Sequence, residues 1–153
     1  MAEITVDITK LSFGGQVPLG RMEYVSMQPQ DRSLPKVEYQ VIELDEGSVR
    51  FNADPMSHPI TFVLNGLLAF VRRAGAPLCK TTALHPGDSV GGWTVGNEPI
   101  HLTTTYEGGG DVRVSWTSCR LARPRAGRAD ASLESVQLVG ALVMVAVRRA
   151  MKR

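Results

Sequence analysis

Aromatic residues are scarce in this chain, at 6% of the total, so aliphatic side chains must supply most of any core. Histidine occurs at His58, His85 and His101, and no two of these share the i, i+4 spacing of a helical zinc site. Cysteine occurs only at Cys79 and Cys119, too few for a disulfide framework. They read as two small apolar residues in a reducing compartment, with a single bridge between them as the alternative. No long hydrophobic run is present. The longest, Leu138 to Val147, covers ten residues, where a membrane-spanning helix needs about 20. The opening Met1-Ala2-Glu3-Ile4-Thr5-Val6-Asp7 lacks the basic and apolar regions of a secretory signal. The expectation is a cytoplasmic protein with no membrane partner.

What is present suits a globular chain. The 153 residues are 43% hydrophobic and 21% charged, which fits one domain over 1–153 that needs neither disulfide nor metal to hold a core. The net charge of +2 is unevenly spread. Residues 1–119 carry nine Lys/Arg and thirteen Asp/Glu, a balance of −4, while 120–153 carry eight and two, a balance of +6. Such asymmetry marks either a basic arm for nucleic acid or cations gathered at a helix end and a solvated loop.

Period-two patterning dominates the first half. Ile4, Val6 and Ile8 alternate with Thr5, Asp7 and Thr9, which predicts a half-buried strand ended by Gly14-Gly15. A second strand is expected through Arg21–Val25, and a loop from Gln28 to Pro35. Val37, Tyr39 and Val41 form a third alternation. Asp45-Glu46-Gly47 then reads as a turn, with Val49 and Phe51 resuming beyond it as the second arm of a hairpin.

Residues 57–75 carry two competing signals. Pro59 suits a helix start, and Ile60, Val63, Leu64, Leu67, Leu68 and Val71 fall on one helical face. Arg72, Arg73 and Gly75 suit a helix end. Against these, Asn65-Gly66 is a strong hairpin dipeptide between two apolar runs. A mid-helix Gly costs about 1 kcal/mol relative to Ala, which burial of several Leu and Val side chains outweighs. The balance predicts a helix, with a two-strand hairpin as the alternative.

Residues 76–98 read as loop-rich, with Trp93 and Val95 in a short strand. The clearest hairpin follows: Ile100, Leu102, Thr104 and Tyr106, a turn through Glu107-Gly108-Gly109-Gly110-Asp111, then Val112, Val114 and Trp116. Residues 120–129 read as a basic, flexible connection. Asp130 or Ser132 then caps a final helix, in which Leu133, Val136, Gly140, Val143, Val147 and Ala150 repeat at three and four. Leu138, Leu142 and Val145 extend its apolar surface around most of the circumference, the mark of a deeply buried helix. Together these elements predict an α+β fold: a mainly antiparallel sheet of about six strands with two helices packed on one face.

Candidate chemistry is thin. Cys79 with His85 or His101 could form a nucleophile and base, but the flanking residues match no signature. Gly108-Gly109-Gly110 lies between strands and lacks the Gly-Lys-Ser/Thr ending of a phosphate loop, so it reads as a turn. Neither a catalytic residue, a metal site nor a cofactor is expected. Asp45, Glu46, Glu107, Asp111 and Arg113 make turns and strand ends whose charges could face a partner protein. Arg120, Arg123, Arg125 and Arg128 could instead contact phosphates, although no aromatic residue is interleaved with them for base stacking.

One pattern adds to these readings. It is carried by Phe51, Gly92-Trp93, Leu102-Thr103-Thr104-Thr105-Tyr106, Gly110-Asp111-Val112-Arg113-Val114 and Gln137-Leu138. From Val49 onward the layout resembles small actinobacterial domains of uncharacterised or immunity-protein type. The resemblance implies a non-enzymatic module that binds and neutralises another protein. Nucleic-acid binding through residues 120–128 is the second expectation. A self-associating structural subunit, with the last helix buried between chains, is the third.

Overall fold

The computed structural model describes residues 2–7, 12–14, 19–52, 59–75, 78–124 and 131–152. The strands are β1 (Ala2–Asp7), β2 (Ser12–Gly14), β3 (Leu19–Met27), β4 (Val37–Leu44), β5 (Gly47–Asn52), β6 (Cys79–Leu84), β7 (Ser89–Val90), β8 (Trp93–Val95), β9 (Ile100–Gly108), β10 (Asp111–Trp116) and β11 (Cys119–Pro124). Helix α1 (Pro59–Ala74) falls between β5 and β6, and α2 (Ala131–Ala150) ends the described chain. The α+β class and the antiparallel character are as expected. The single sheet of about six strands is not. The strands form two sheets, one ordered β2-β1-β5-β10-β9-β6 and the other β3-β4-β11-β8-β7. All pairings are antiparallel except β1 with β5.

The two helices do not share one face of one sheet. Helix α2 lies against β6, β9 and β10 of the larger sheet and β7 of the smaller, and α1 packs on α2. One apolar core joins everything: Ile42, Leu121 and Trp93 from the smaller sheet, Val49, Leu102 and Val114 from the larger, Leu64 and Leu67 from α1, Leu138 and Leu142 from α2. From Leu138 to Val147 every residue of α2 is buried or half-buried. Among the described residues, no helix is long and apolar enough to cross a membrane.

Helix prevails over hairpin at 59–74 because burial decides it. Leu64, Leu67 and Val71 are buried on one stripe, while Gly66 faces solvent. Gly75 closes α1 in the left-handed conformation, φ 72°, its N–H donating to the Val71 carbonyl at 3.0 Å.

Three local expectations need correction. Asp45-Glu46 does not turn a hairpin, because β4 and β5 belong to different sheets. No turn forms at 45–46, and these two residues carry the chain from one sheet into the other. At the true hairpin, Gly108, Gly109 and Gly110 all take positive φ, as tight antiparallel turns demand. The stretch 76–98 holds three strands rather than one. Strand β6 escaped notice because Lys80, Thr81 and Thr82 lack apolar alternation; Thr81 and Thr103 join across the ladder by a 2.9 Å hydroxyl contact. The supposed flexible connection is strand β11 as far as Pro124, while 125–130 lies outside the described residues.

Two glycines carry opposite expectations. A Cβ on Gly66 would sit in ordinary contact, 3.4 Å from the Met151 sulfur, so Gly66→Ala should stabilise by about 0.5–1 kcal/mol through helix propensity. A Cβ on Gly96 would lie 2.8 Å from the Arg120 carbonyl oxygen, the same atom that accepts the Gly96 N–H. Gly96→Ala should destabilise by about 1–3 kcal/mol, since that backbone contact cannot give way. Urea unfolding midpoints of both variants check the pair.

Candidate functional site

Three of the connections that carry the chain between sheets converge at one end of the molecule. They join β4 to β5, β8 to β9, and β10 to β11. Between them lies a partly open cleft of about 310 Å³. Its floor includes Leu44 and Cys119, which are registered opposite each other in β4 and β11. Glu43, Asp45, Asn97, Glu98, Ser118 and Arg120 supply the polar wall.

Backbone contacts fix this shape. The Trp116 indole N–H donates to the Asp45 carbonyl at 2.8 Å, pinning the β4–β5 crossing to the end of β10. The Gly96 N–H donates to the Arg120 carbonyl at 2.8 Å, tying the β8–β9 connection to β11. The Thr117 hydroxyl accepts the His101 N–H at 3.0 Å, and the Thr117 N–H returns to the His101 carbonyl at 3.2 Å. Each crossing breaks a ladder, and these contacts satisfy backbone groups that the ladder would otherwise have satisfied.

The wall is electronegative. Glu43, Asp45 and Glu98 set three carboxylates against the one guanidinium of Arg120. Arg120 is held by Glu43 at 2.8 Å and reaches Glu23 at 3.5 Å. From the far side of β4, Arg21 approaches Glu43 at 3.5 Å and Glu23 at 3.9 Å. Arg21, Glu43 and Arg120 are registered side by side on β3, β4 and β11, so charge alternates across three strands.

The remaining sequence-selected residues are distributed as follows. Glu46 is exposed beside Asp45. Glu107 sits at the far hairpin, bound by Arg113 at 2.9 Å and Arg50 at 3.3 Å, with Asp111 opening β10 beside it. The ladder from Gly47↔Trp116 to Asn52↔Asp111 separates the acidic crossing at 45–46 from the acidic hairpin by five residues, about 17 Å at strand rise. Asp45 and Glu46 therefore do not form one surface with Glu107, Asp111 and Arg113. Arg123 is half-buried, its guanidinium 4.3 Å from the centre of the Trp93 ring and its Nε donating to Gln40 at 3.0 Å. With Arg120 paired to glutamates, both described members of the arginine group are engaged within the chain. Arg125 and Arg128 lie outside the described residues.

The nucleophile reading finds no geometry. Exposed Cys79 is registered with Thr105, whose hydroxyl lies 3.7 Å from its sulfur. His101 is registered with Ala83, four residues along β6 and about 13 Å away at strand rise. His85 lies beyond the end of β6, its backbone N–H donating to the Asp88 carboxylate at 2.8 Å. Among the described residues, no three His, Cys, Asp or Glu side chains stand close enough to hold a metal ion. Cys119 is buried, and burial pushes its thiol up to about 12.

Glu43, Asn97, Glu98 and Ser118 were not singled out from sequence. Each is a polar residue at a strand end or in a connection, and no local signal tells which connections meet.

The thiols give a direct check. In the native protein one cysteine, Cys79, should react with an aromatic disulfide reagent, and two should react in denaturant. Because the folded Cys119 thiol holds its proton more tightly than the ordinary 9.0, the folded state binds more protons than the unfolded between about 9 and 12. Stability should therefore fall as pH rises through that window, and Cys119→Ala should flatten the fall. Urea titrations at stepped pH measure it.

Compared with family models, curated proteins and solved structures, the chain matches none.

Proposed function

We propose that the protein is a non-enzymatic protein-binding module whose cleft receives a basic side chain of its partner. The observation that carries this reading is the carboxylate excess of the cleft wall, Glu43, Asp45 and Glu98 against Arg120. Arg120 already compensates Glu43 at 2.8 Å, which leaves Asp45 and Glu98 as the wall's uncompensated charge among the described residues. A lysine or arginine entering there meets complementary potential, which favours fast, oriented encounter. The apolar floor of Leu44 and Cys119 suits the aliphatic stem of such a side chain. The resemblance to immunity-type domains adds the expectation that this contact neutralises the partner.

The exposed large apolar side chains lie apart from the cleft on the same sheet, Val37 standing six residues along β4 from Glu43, about 20 Å at strand rise. Tyr24, Leu34 and Val37 are 42%, 52% and 37% exposed, and all three belong to the β3–β4 hairpin. That hairpin forms one side of the same sheet that contributes Glu43 and Arg120.

A peptide titration tests the reading. Wild type should bind an arginine-rich peptide more tightly than an acidic peptide of equal length, and the affinity should fall as salt rises. Asp45→Asn with Glu98→Gln should weaken that binding by about tenfold or more, equivalent to about 1.4 kcal/mol. The Asp45 carbonyl that holds Trp116 is untouched by the change. Equal binding of both peptides, or full affinity in the double variant, would reject the cleft as the contact site.

A further inference from the structure

Two sheets have four edge strands, and an unprotected edge is a template for another chain. Three of the four are blunted. Strands β2 and β7 have three and two residues. Strand β6 runs under the end of α2: Arg149 donates to the Ala83 carbonyl at 2.6 Å, and the Lys80 ammonium reaches the Lys152 carbonyl. Strand β3 is different. It has nine residues, ends its sheet, and holds an unbroken register with β4 from Arg21 to Met27.

The charge pattern of β3 is self-complementary. Arg21 and Glu23 are two residues apart, so they share one face and carry opposite signs. A two-fold axis perpendicular to the sheet keeps each face on its own side, so residues of like parity meet across the seam. With Arg21 or Glu23 on the axis, like charges would stand directly opposite, a destabilising arrangement. With Met22 on the axis, Arg21 of each copy faces Glu23 of the other. The alternation Arg120, Glu43, Arg21 then continues across the seam into Glu23 of the second copy. Tyr24 falls opposite Gly20, where the irregularity between Leu19 and Arg21 bends the strand and an aromatic ring meets no opposing side chain. Within one chain the inner pair Arg120–Glu43 is tight at 2.8 Å, whereas the contacts of Arg21 with Glu43 and Glu23 are 3.5 and 3.9 Å. Arg21 is 64% exposed and so able to turn toward a partner.

We propose that the protein forms a two-fold dimer by antiparallel pairing of β3 with β3 of a second copy, each Arg21 opposite the other copy's Glu23. This goes beyond the cleft reading, and Asp45 and Glu98 take no part in it.

Sedimentation of the full chain tests the dimer. Wild type should associate to a dimer whose affinity falls with salt. Arg21→Glu and Glu23→Arg should each weaken dimerisation by about tenfold or more, because two opposite-charge pairs become two like-charge pairs at once. An equimolar mixture of the two variants should recover association, since every seam pair is then again of opposite sign. Should a reversal fail to fold, as judged by thermal unfolding, Arg21→Gln and Glu23→Gln should each weaken the dimer by a smaller factor. A wild type that stays monomeric at all concentrations overturns the proposal. So do reversals that dimerise like wild type, a mixture of folded variants that does not associate, or association through β3 of an unrelated protein with none between copies.

Discussion

A helix with no exposed residue between Leu138 and Val147 needs apolar cover on every side, and the arrangement of the rest follows from that need. One sheet cannot wrap a helix. Helix α2 therefore takes β6, β9 and β10 on one side, β7 on another and α1 on a third. The chain must supply strands to both sheets, and it does so by changing sheets between β2 and β3, β4 and β5, β6 and β7, β8 and β9, and β10 and β11. The valines of α2, poor helix formers, are tolerated because packing rather than propensity holds the helix.

The cleft is a by-product of those crossings. Where a strand leaves its sheet, ladder partners are lost, and side chains or turns must meet the exposed backbone. Trp116 does this for Asp45 from within the core, 2% exposed. Polar residues collect at such ends because apolar ones would be left uncovered there. Carboxylates predominate in this collection, and the resulting field is what a cationic partner would meet. The same sheet carries Arg21, Glu23, Glu43 and Arg120 on its outer side, all of them 38–64% exposed. Exposed pairs of this kind add little to stability. Their alternation of sign suits the register of β3, β4 and β11.

Much of the secondary structure was legible. The 100–116 hairpin was readable because period-two alternation and three consecutive glycines act within a few residues of each other. Helix α1 was readable from its stripe and its closing Gly75, despite Asn65-Gly66. Strand β6 was not, because its threonines pair across the ladder rather than filling a core. The candidate site was barely legible. Asp45 and Arg120 were named from sequence, but as members of different surfaces; the cleft brings them together with Glu43 and Glu98, while Glu107 and Arg113 lie at the opposite end of the β5–β10 ladder.

By itself the sequence determined the α+β class, both helices and the glycine-closed hairpin, since each is written in residues close together along the chain. Tertiary structure alone decided that the strands split into two sheets and that 45–46 crosses between them. It also decided which carboxylates share a cleft and that β3 is the long edge strand among the described residues. Those outcomes depend on pairings such as Leu44 with Cys119 and Val49 with Val114. Partners so distant in sequence are chosen by the shared burial of apolar faces around α2, a selection that no local pattern records.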